Sequence, residues 1–252
     1  MSSPHTSPNP FATSAMAQGY ATARPSVHPQ ILRLAMETKV ERVLDIGCGA
    51  GISTAALAPY AGHAIGLEPA VPMLAWHRTV APQADFVGGQ AERLPFPDQS
   101  FELLTAAGSL NYARDLGSFF LEAKRVLKSE GQILVYDFSP GRAPFLESWY
   151  SEFHRRYPPP ASGAAYLDPQ ILKGIHPAFS VPKSQAIAVE LPLTADFFLN
   201  YMLTETNVAA AVARHTPLQQ IRTWCEETLL PLWGSPTENI SFRGYYAFLS
   251  PR

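Results

Sequence analysis

Val43-Leu44-Asp45-Ile46 is an apolar run carrying one acid, and it passes without a spacer into Gly47-Cys48-Gly49-Ala50-Gly51. Ser53, Thr54 and the helix-forming run Ala55-Ala56-Leu57-Ala58 come next. Glycines this dense serve a turn with positive φ, or a backbone that another molecule approaches closely. A strand, a glycine turn and a helix in that order constrain the chain to an α/β unit whose turn can cradle a nucleoside. Spacing narrows the choice of nucleoside. The dinucleotide pattern G-x-G-x-x-G would need its third glycine at Ile52, and the phosphate loop G-x-x-x-x-G-K-[ST] needs a Lys that is absent after the turn.

A second short apolar run, Ala64-Ile65-Gly66-Leu67, ends in Glu68, 23 residues beyond Asp45. At the end of the second strand of a β-α-β unit, a carboxylate can accept both ribose hydroxyls. Taken alone, Glu68 reads as a solvated strand-end acid; in series with the glycine turn it reads as a ligand. Ala84-Asp85-Phe86-Val87-Gly88-Gly89-Gln90-Ala91-Glu92 and Leu94-Pro95-Phe96-Pro97-Asp98-Gln99-Ser100-Phe101-Glu102 follow in order.

The chain alternates strands and helices. Strands are predicted over 42–46, 63–67, 85–87, 103–106 and 132–138, with helices over 29–38, 71–78 and 118–128 between and before them. Beyond 139 the texture changes to prolines and aromatics, and Pro158-Pro159-Pro160 stops any helix. A sixth strand is predicted over 185–191, a helix over 196–203 and a terminal strand over 240–249. Thr216-Pro217-Leu218-Gln219 reads as a capping box with proline at the first helical position, opening a helix to about residue 230. The expected fold is α/β, with a parallel sheet covered by helices on both faces.

Composition excludes several alternatives. The 252 residues suit one large domain, and a net charge of −2 without a Lys/Arg cluster argues against a nucleic-acid groove. Two cysteines, Cys48 and Cys225, supply neither a disulfide framework nor a metal set. Residues 1–15 hold no Lys or Arg and read as a disordered tail rather than a signal or transit peptide. No apolar run approaches a membrane span, so a cytoplasmic setting is expected.

With these residues in view, the glycine run resembles motif I of the class I S-adenosylmethionine-dependent methyltransferases, in the form D-x-G-x-G-x-G. Segments 84–92 and 94–102 resemble that family's G-D-A-E-x-L-P-F-x-D-x-S-F-D wording, with Gln90 and Glu102 where Asp is usual. A carboxamide oxygen still accepts a hydrogen bond, so Gln90 can take the adenine amino group. Tyr20-Ala21-Thr22-Ala23-Arg24-Pro25 resembles the Y-x-x-x-R-P lead of the ubiquinone/menaquinone-biosynthesis and aconitate-type branch. That resemblance lays Tyr20 and Arg24 over the methionine end of the cofactor.

The resemblance implies a Rossmann-like, seven-stranded, mostly parallel sheet whose last strand is antiparallel beside strand five. Residues 16–252 would form one domain, with a cofactor half at 16–138 and an acceptor-pocket half at 139–252. The cofactor would be S-adenosyl-L-methionine, leaving as S-adenosyl-L-homocysteine. Its site would comprise Tyr20, Arg24, Asp45, Gly47, Cys48, Gly49, Glu68, Pro69, Met73, Gln90, Ala91, Glu92 and Ala107. The methyl acceptor would be a small, apolar or aromatic molecule facing aromatics such as Tyr112, Trp149, Tyr150 and Tyr201. His154, His176, Glu205 and His215 are the candidate bases, none preferred. Two further readings stand beside this one. One is a protein of this fold that holds the cofactor structurally or for a cyclisation; the other is a nicotinamide oxidoreductase, which the glycine spacing disfavours.

Overall fold

The computed structural model describes residues 13–159 and 167–252. Its helices and strands run α1 (Ser14–Ala23), α2 (Val27–Ala35), β1 (Val40–Ile46), α3 (Ile52–Ala56), β2 (Ala61–Glu68), α4 (Val71–Leu74), α5 (His77–Val80), β3 (Asp85–Gly88), β4 (Phe101–Ala107), α6 (Leu116–Val126) and β5 (Leu127–Phe138). The second half continues with α7 (Glu147–Arg156), α8 (Pro169–Lys173), β6 (Phe179–Leu193), α9 (Ala195–Met202), α10 (Thr206–Ala213), α11 (Leu218–Leu229) and β7 (Glu238–Pro251).

The strands form one seven-stranded sheet in the order β3-β2-β1-β4-β5-β7-β6. The first five are parallel, and β7 runs antiparallel to both β5 and β6. This is the expected Rossmann-like α/β sheet with its last strand antiparallel. Side chains alternate along each strand. In β5, Leu134 and Tyr136 enter a core with α2, α7, α9 and α11, whereas Ile133 and Val135 enter a core with α6 and α8 on the opposite face. Burial on both faces is what the continuous apolar strands require.

Several local expectations are corrected. Ser14 and Ala15, expected in the tail, belong to α1, which Thr13 opens by accepting the Met16 N–H; the rest of the expected tail, residues 1–12, lies outside the described residues. Helix α2 ends at Ala35 and buries Val27, Ile31, Leu32 and Ala35, which leaves Leu34 exposed. The single helix expected over 71–78 is two short ones, α4 and α5. Thr216 does not cap α11, which starts at Leu218 behind Pro217 with no side-chain cap. Helix α7 was hidden by its aromatics, and β6 extends well beyond 185–191 because it pairs with β7 along most of its length.

The sheet fixes where a ligand lies. Strand order reverses between β1 and β4, and in open α/β sheets the crevice at the carboxyl ends of such strands is the binding position. The loops after β1, β2 and β3 form one bank of that crevice. The loops after β4 and β5 form the other.

Candidate cofactor site

The three glycines of the turn all have positive φ, at 65° for Gly47, 55° for Gly49 and 99° for Gly51. They serve different needs. A Cβ on Gly47 would stand 2.6 Å from the Ser109 Cβ, and one on Gly51 would meet the Phe86 ring at 3.0 Å. A Cβ on Gly49 would meet nothing within 4 Å. Gly47 and Gly51 are therefore required by packing, while Gly49 presents bare backbone to open space.

Glu68 closes the first bank. Its Oε2 accepts the Gly49 N–H at 3.0 Å and its Oε1 accepts the Ala70 N–H at 2.8 Å. Each oxygen keeps a further lone pair, so the carboxylate is aimed and still able to accept two hydroxyls. Burial pushes its pKa up, against the pull of these two N–H groups. The turn is tied to β2 as well, through Gly47 and Cys48 N–H groups donating to the Leu67 carbonyl at 2.8 and 3.1 Å.

Asp45 lies in β1 directly ahead of the turn. It is fully buried, and its carboxylate accepts from Ser53 (2.6 Å), Thr54 (2.7 Å) and Thr105 (2.8 Å). Desolvation raises its pKa while the three hydroxyls oppose the rise. It braces the glycine turn from behind, tying β1 to the first turn of α3 and to β4. The Cys48 side chain is also buried, against Gly66, so only its backbone borders the turn.

Helix α1 covers this bank. Its Met16 and Ala17 pack with Ala50 of the turn and with Ala70 and Met73, and Tyr20 lies against the same cluster. Met73 is thus a buried support of the covering helix, and Pro69 is exposed beside Glu68. Arg24 sits between the rings of Tyr20 (4.4 Å) and Tyr201 (5.0 Å) and donates to Glu205 at 3.3 Å and Thr204 at 3.1 Å. Its charge is thereby directed to the helices of the second half, where a carboxylate of the cofactor had been expected.

Gln90 is exposed just past β3, where it bridges to Arg93 beside an open cleft of about 640 Å³ that Gly88 and Gly89 also line. Ala91 is half-buried next to it. Glu92 turns away, accepting the Arg114 N–H at 2.6 Å ahead of α6. Ala107 ends β4 and leads into Gly108, φ 60°. The segment 94–102 proves to be a clamp: Arg125 donates to the Leu94 and Phe96 carbonyls and to Asp98.

The far bank contains residues that sequence reasoning passed over. Ser109 donates to the Ile46 carbonyl at 2.5 Å, which joins the loops after β4 and β1. Asp137 is the penultimate residue of β5, half-buried, with the Asn111 amide donating to Oδ2 at 3.2 Å. His28 lies edge-on to Phe138, its Nδ1 3.0 Å from the Tyr136 hydroxyl; burial and the charge of Arg24 push it down to about 3, so it is neutral. Of the candidate bases, Glu205 alone joins this cluster, through Arg24. His154 stacks on Tyr150 and His176 on Phe120, each bonded to main chain.

Residues 44–135 match the family described as Methyltransferase domain, and residues 3–77 match Protein-L-isoaspartate(D-aspartate) O-methyltransferase. The Uncharacterized methyltransferase YcgJ of Bacillus subtilis is 34% identical over 119 residues, covering 45% of this chain and 47% of that protein. A Demethylmenaquinone methyltransferase of Beutenbergia cavernae is 33% identical over 131 residues, covering 52% of this chain and 54% of that protein. The chain thus spans about half the length of these curated relatives. Among solved structures, YcgJ superposes with a TM-score of 0.54 at 19% identity, over 89% of this chain and 98% of that one. The Haemonchus contortus phosphoethanolamine N-methyltransferase 2, solved with S-adenosyl-L-methionine, gives 0.55 at 16% identity, over 98% and 59%. The fold is the class I methyltransferase fold.

Proposed function

We propose that this chain, which carries a methyltransferase domain of the class I fold, transfers a methyl group from S-adenosyl-L-methionine to a small, apolar or aromatic acceptor. The observation that carries the reading is Gly49: bare, left-handed backbone faces open space, with the half-satisfied Glu68 carboxylate bonded to its N–H. A nucleoside fits there because it needs a flat seat and an acceptor for two vicinal hydroxyls.

Bound in this seat, the cofactor supplies a methyl group already activated on a sulfonium. The chain's own residues position and enclose it. Glu68 accepts the ribose hydroxyls, the Gln90 carboxamide and the Ala91 backbone meet the adenine, and the backbone at Gly47 and Ala107 meets the methionine end. Helix α1, with Tyr20, excludes water from above. What remains for the protein is to hold an acceptor in line at near-attack distance. The two halves act as one domain on one sheet. Among the described residues no helix is long and apolar enough to cross a membrane.

The test is calorimetric titration with S-adenosylmethionine, S-adenosylhomocysteine and NADH. Both adenosyl ligands bind the wild type, and NADH does not. Absence of adenosyl binding overturns the reading. A second reading keeps the cofactor without methyl transfer, because the [4+2]-cyclase SpnF also superposes, with a TM-score of 0.53 at 16% identity over 90% of this chain and 81% of that one. Adenosyl binding with no methylated product from a panel of hydroxyl, amine and carbon acceptors favours that second reading.

A further inference from the structure

Asp137 stands across the crevice from the glycine turn, and two contacts fix its place. A Cβ on Gly108 would meet its Oδ1 at 2.9 Å, and the next residue, Ser109, packs on Gly47. Asp137 is therefore only a few side chains from the turn, on the opposite bank. Its Oδ1 accepts the Phe138 N–H at 2.8 Å and its Oδ2 accepts the Asn111 amide at 3.2 Å. Among the described residues it joins no ion pair.

The groups that act on it from neighbouring elements are Arg24 beyond α1, Tyr20 in α1, and Tyr112 in the loop after β4. Arg24 is already paired with Glu205. A half-buried carboxylate with no cation of its own is costly to maintain as structure. Burial pushes its pKa up, against the pull of the Phe138 N–H, the Asn111 amide and the charge of Arg24.

We propose that Asp137, oriented by Asn111, is the acceptor-side base, taking the hydrogen of an acceptor O–H or N–H as the methyl arrives. The assignment rests on the methyltransferase reading above. The acceptor heteroatom forms the new bond to the methyl carbon, and the sulfur–methyl bond breaks with its electron pair returning to sulfur, leaving a thioether. The acceptor proton passes to Oδ2 of Asp137 and from there to solvent. Charge balances, because the sulfonium is lost as the carboxylate is protonated.

The test compares wild type, Asp137→Asn, Asp137→Glu and Asn111→Ala. Calorimetry with S-adenosylhomocysteine comes first: Asp137→Asn binds within threefold of wild type. A loss above tenfold puts the carboxylate on the cofactor and overturns the proposal. Failure of the wild type itself to bind breaks the methyltransferase reading instead. Radiolabelled methyl transfer to a panel of phenols, catechols and primary amines follows, from about pH 5 to 9. Asp137→Asn lowers kcat by about 100-fold or more and removes the rise of rate with pH, with KM for the methyl donor unchanged. Asp137→Glu recovers part of the rate, and Asn111→Ala loses about tenfold, which keeps the proposal testable should Asp137→Asn fail to fold. An Asp137→Asn enzyme within threefold of wild type overturns the assignment, as does a wild type that methylates no member of the panel.

Discussion

Asp45 and Asp137 stand on either side of β4, each near the carboxyl end of its strand and each with its pKa raised by burial. Their surroundings separate them. Asp45 is closed by three hydroxyls and has no exposed surface, whereas Asp137 has one side-chain donor and remains partly open. Burial alone would rank them together. Enclosure divides them into brace and candidate ligand, because an acid with three of its acceptor sites taken and no exposed surface leaves no room for a ligand to reach it.

The largest effect that would break this comparison is on stability. Asp45→Ala strips three hydroxyls of their acceptor and lowers unfolding free energy by about 3–5 kcal/mol, while Asp137→Ala costs about 1 kcal/mol. Urea denaturation measures both, and equal losses would erase the distinction. Next comes affinity. Glu68→Ala removes two charge-assisted hydrogen bonds and weakens S-adenosylmethionine binding about 100-fold, against less than threefold for Asp137→Ala by calorimetry. A loss shared equally would put both acids on the cofactor.

A smaller effect is expected at Gly49. Gly49→Ala brings no clash, so the fold loses only the strain of a left-handed alanine, about 1–2 kcal/mol, while the new methyl fills the seat and weakens binding about tenfold. Unchanged affinity would move the nucleoside elsewhere. The smallest effect is a pH dependence. Burial raises the folded pKa of Asp137, so the native state holds that proton more tightly than the unfolded chain does. The stability it contributes is complete below the unfolded aspartate range, near pH 4, and is lost as pH rises through the folded value. Asp137→Asn does not titrate, and its stability relative to wild type therefore improves with rising pH; a flat difference would show that Asp137 is solvated.

The first bank was legible because its signals are local. Apolar runs ending in Asp45-Ile46 and Glu68, glycines at fixed spacing and the order of elements all lie within short windows of sequence. The sheet followed from the same alternation, including β7 beside β5. The second bank was less legible. Helix α1 is built from small residues with little amphipathic pattern, and its one signal was the capping Thr13. Helix α7 buries Trp149, Tyr150 and Phe153, a helical spacing that prolines on both sides obscured. Asp137 did carry a signal: Ile133-Leu134-Val135-Tyr136 is a third apolar run ending in an acid. Conversely, the familiar wording of segment 94–102 records a structural demand, since Arg125 and Glu122 hold that loop to α6.

The contact between Gly47 and Ser109 has a mechanical consequence. The Ser109 hydroxyl holds the Ile46 carbonyl, and its Cβ occupies the space that a side chain at Gly47 would need. The two loops are thus butted together at a gap of fixed gauge, with no compressible side chain between them. A reaction that depends on tenths of an ångström between donor and acceptor then inherits its tolerance from that joint.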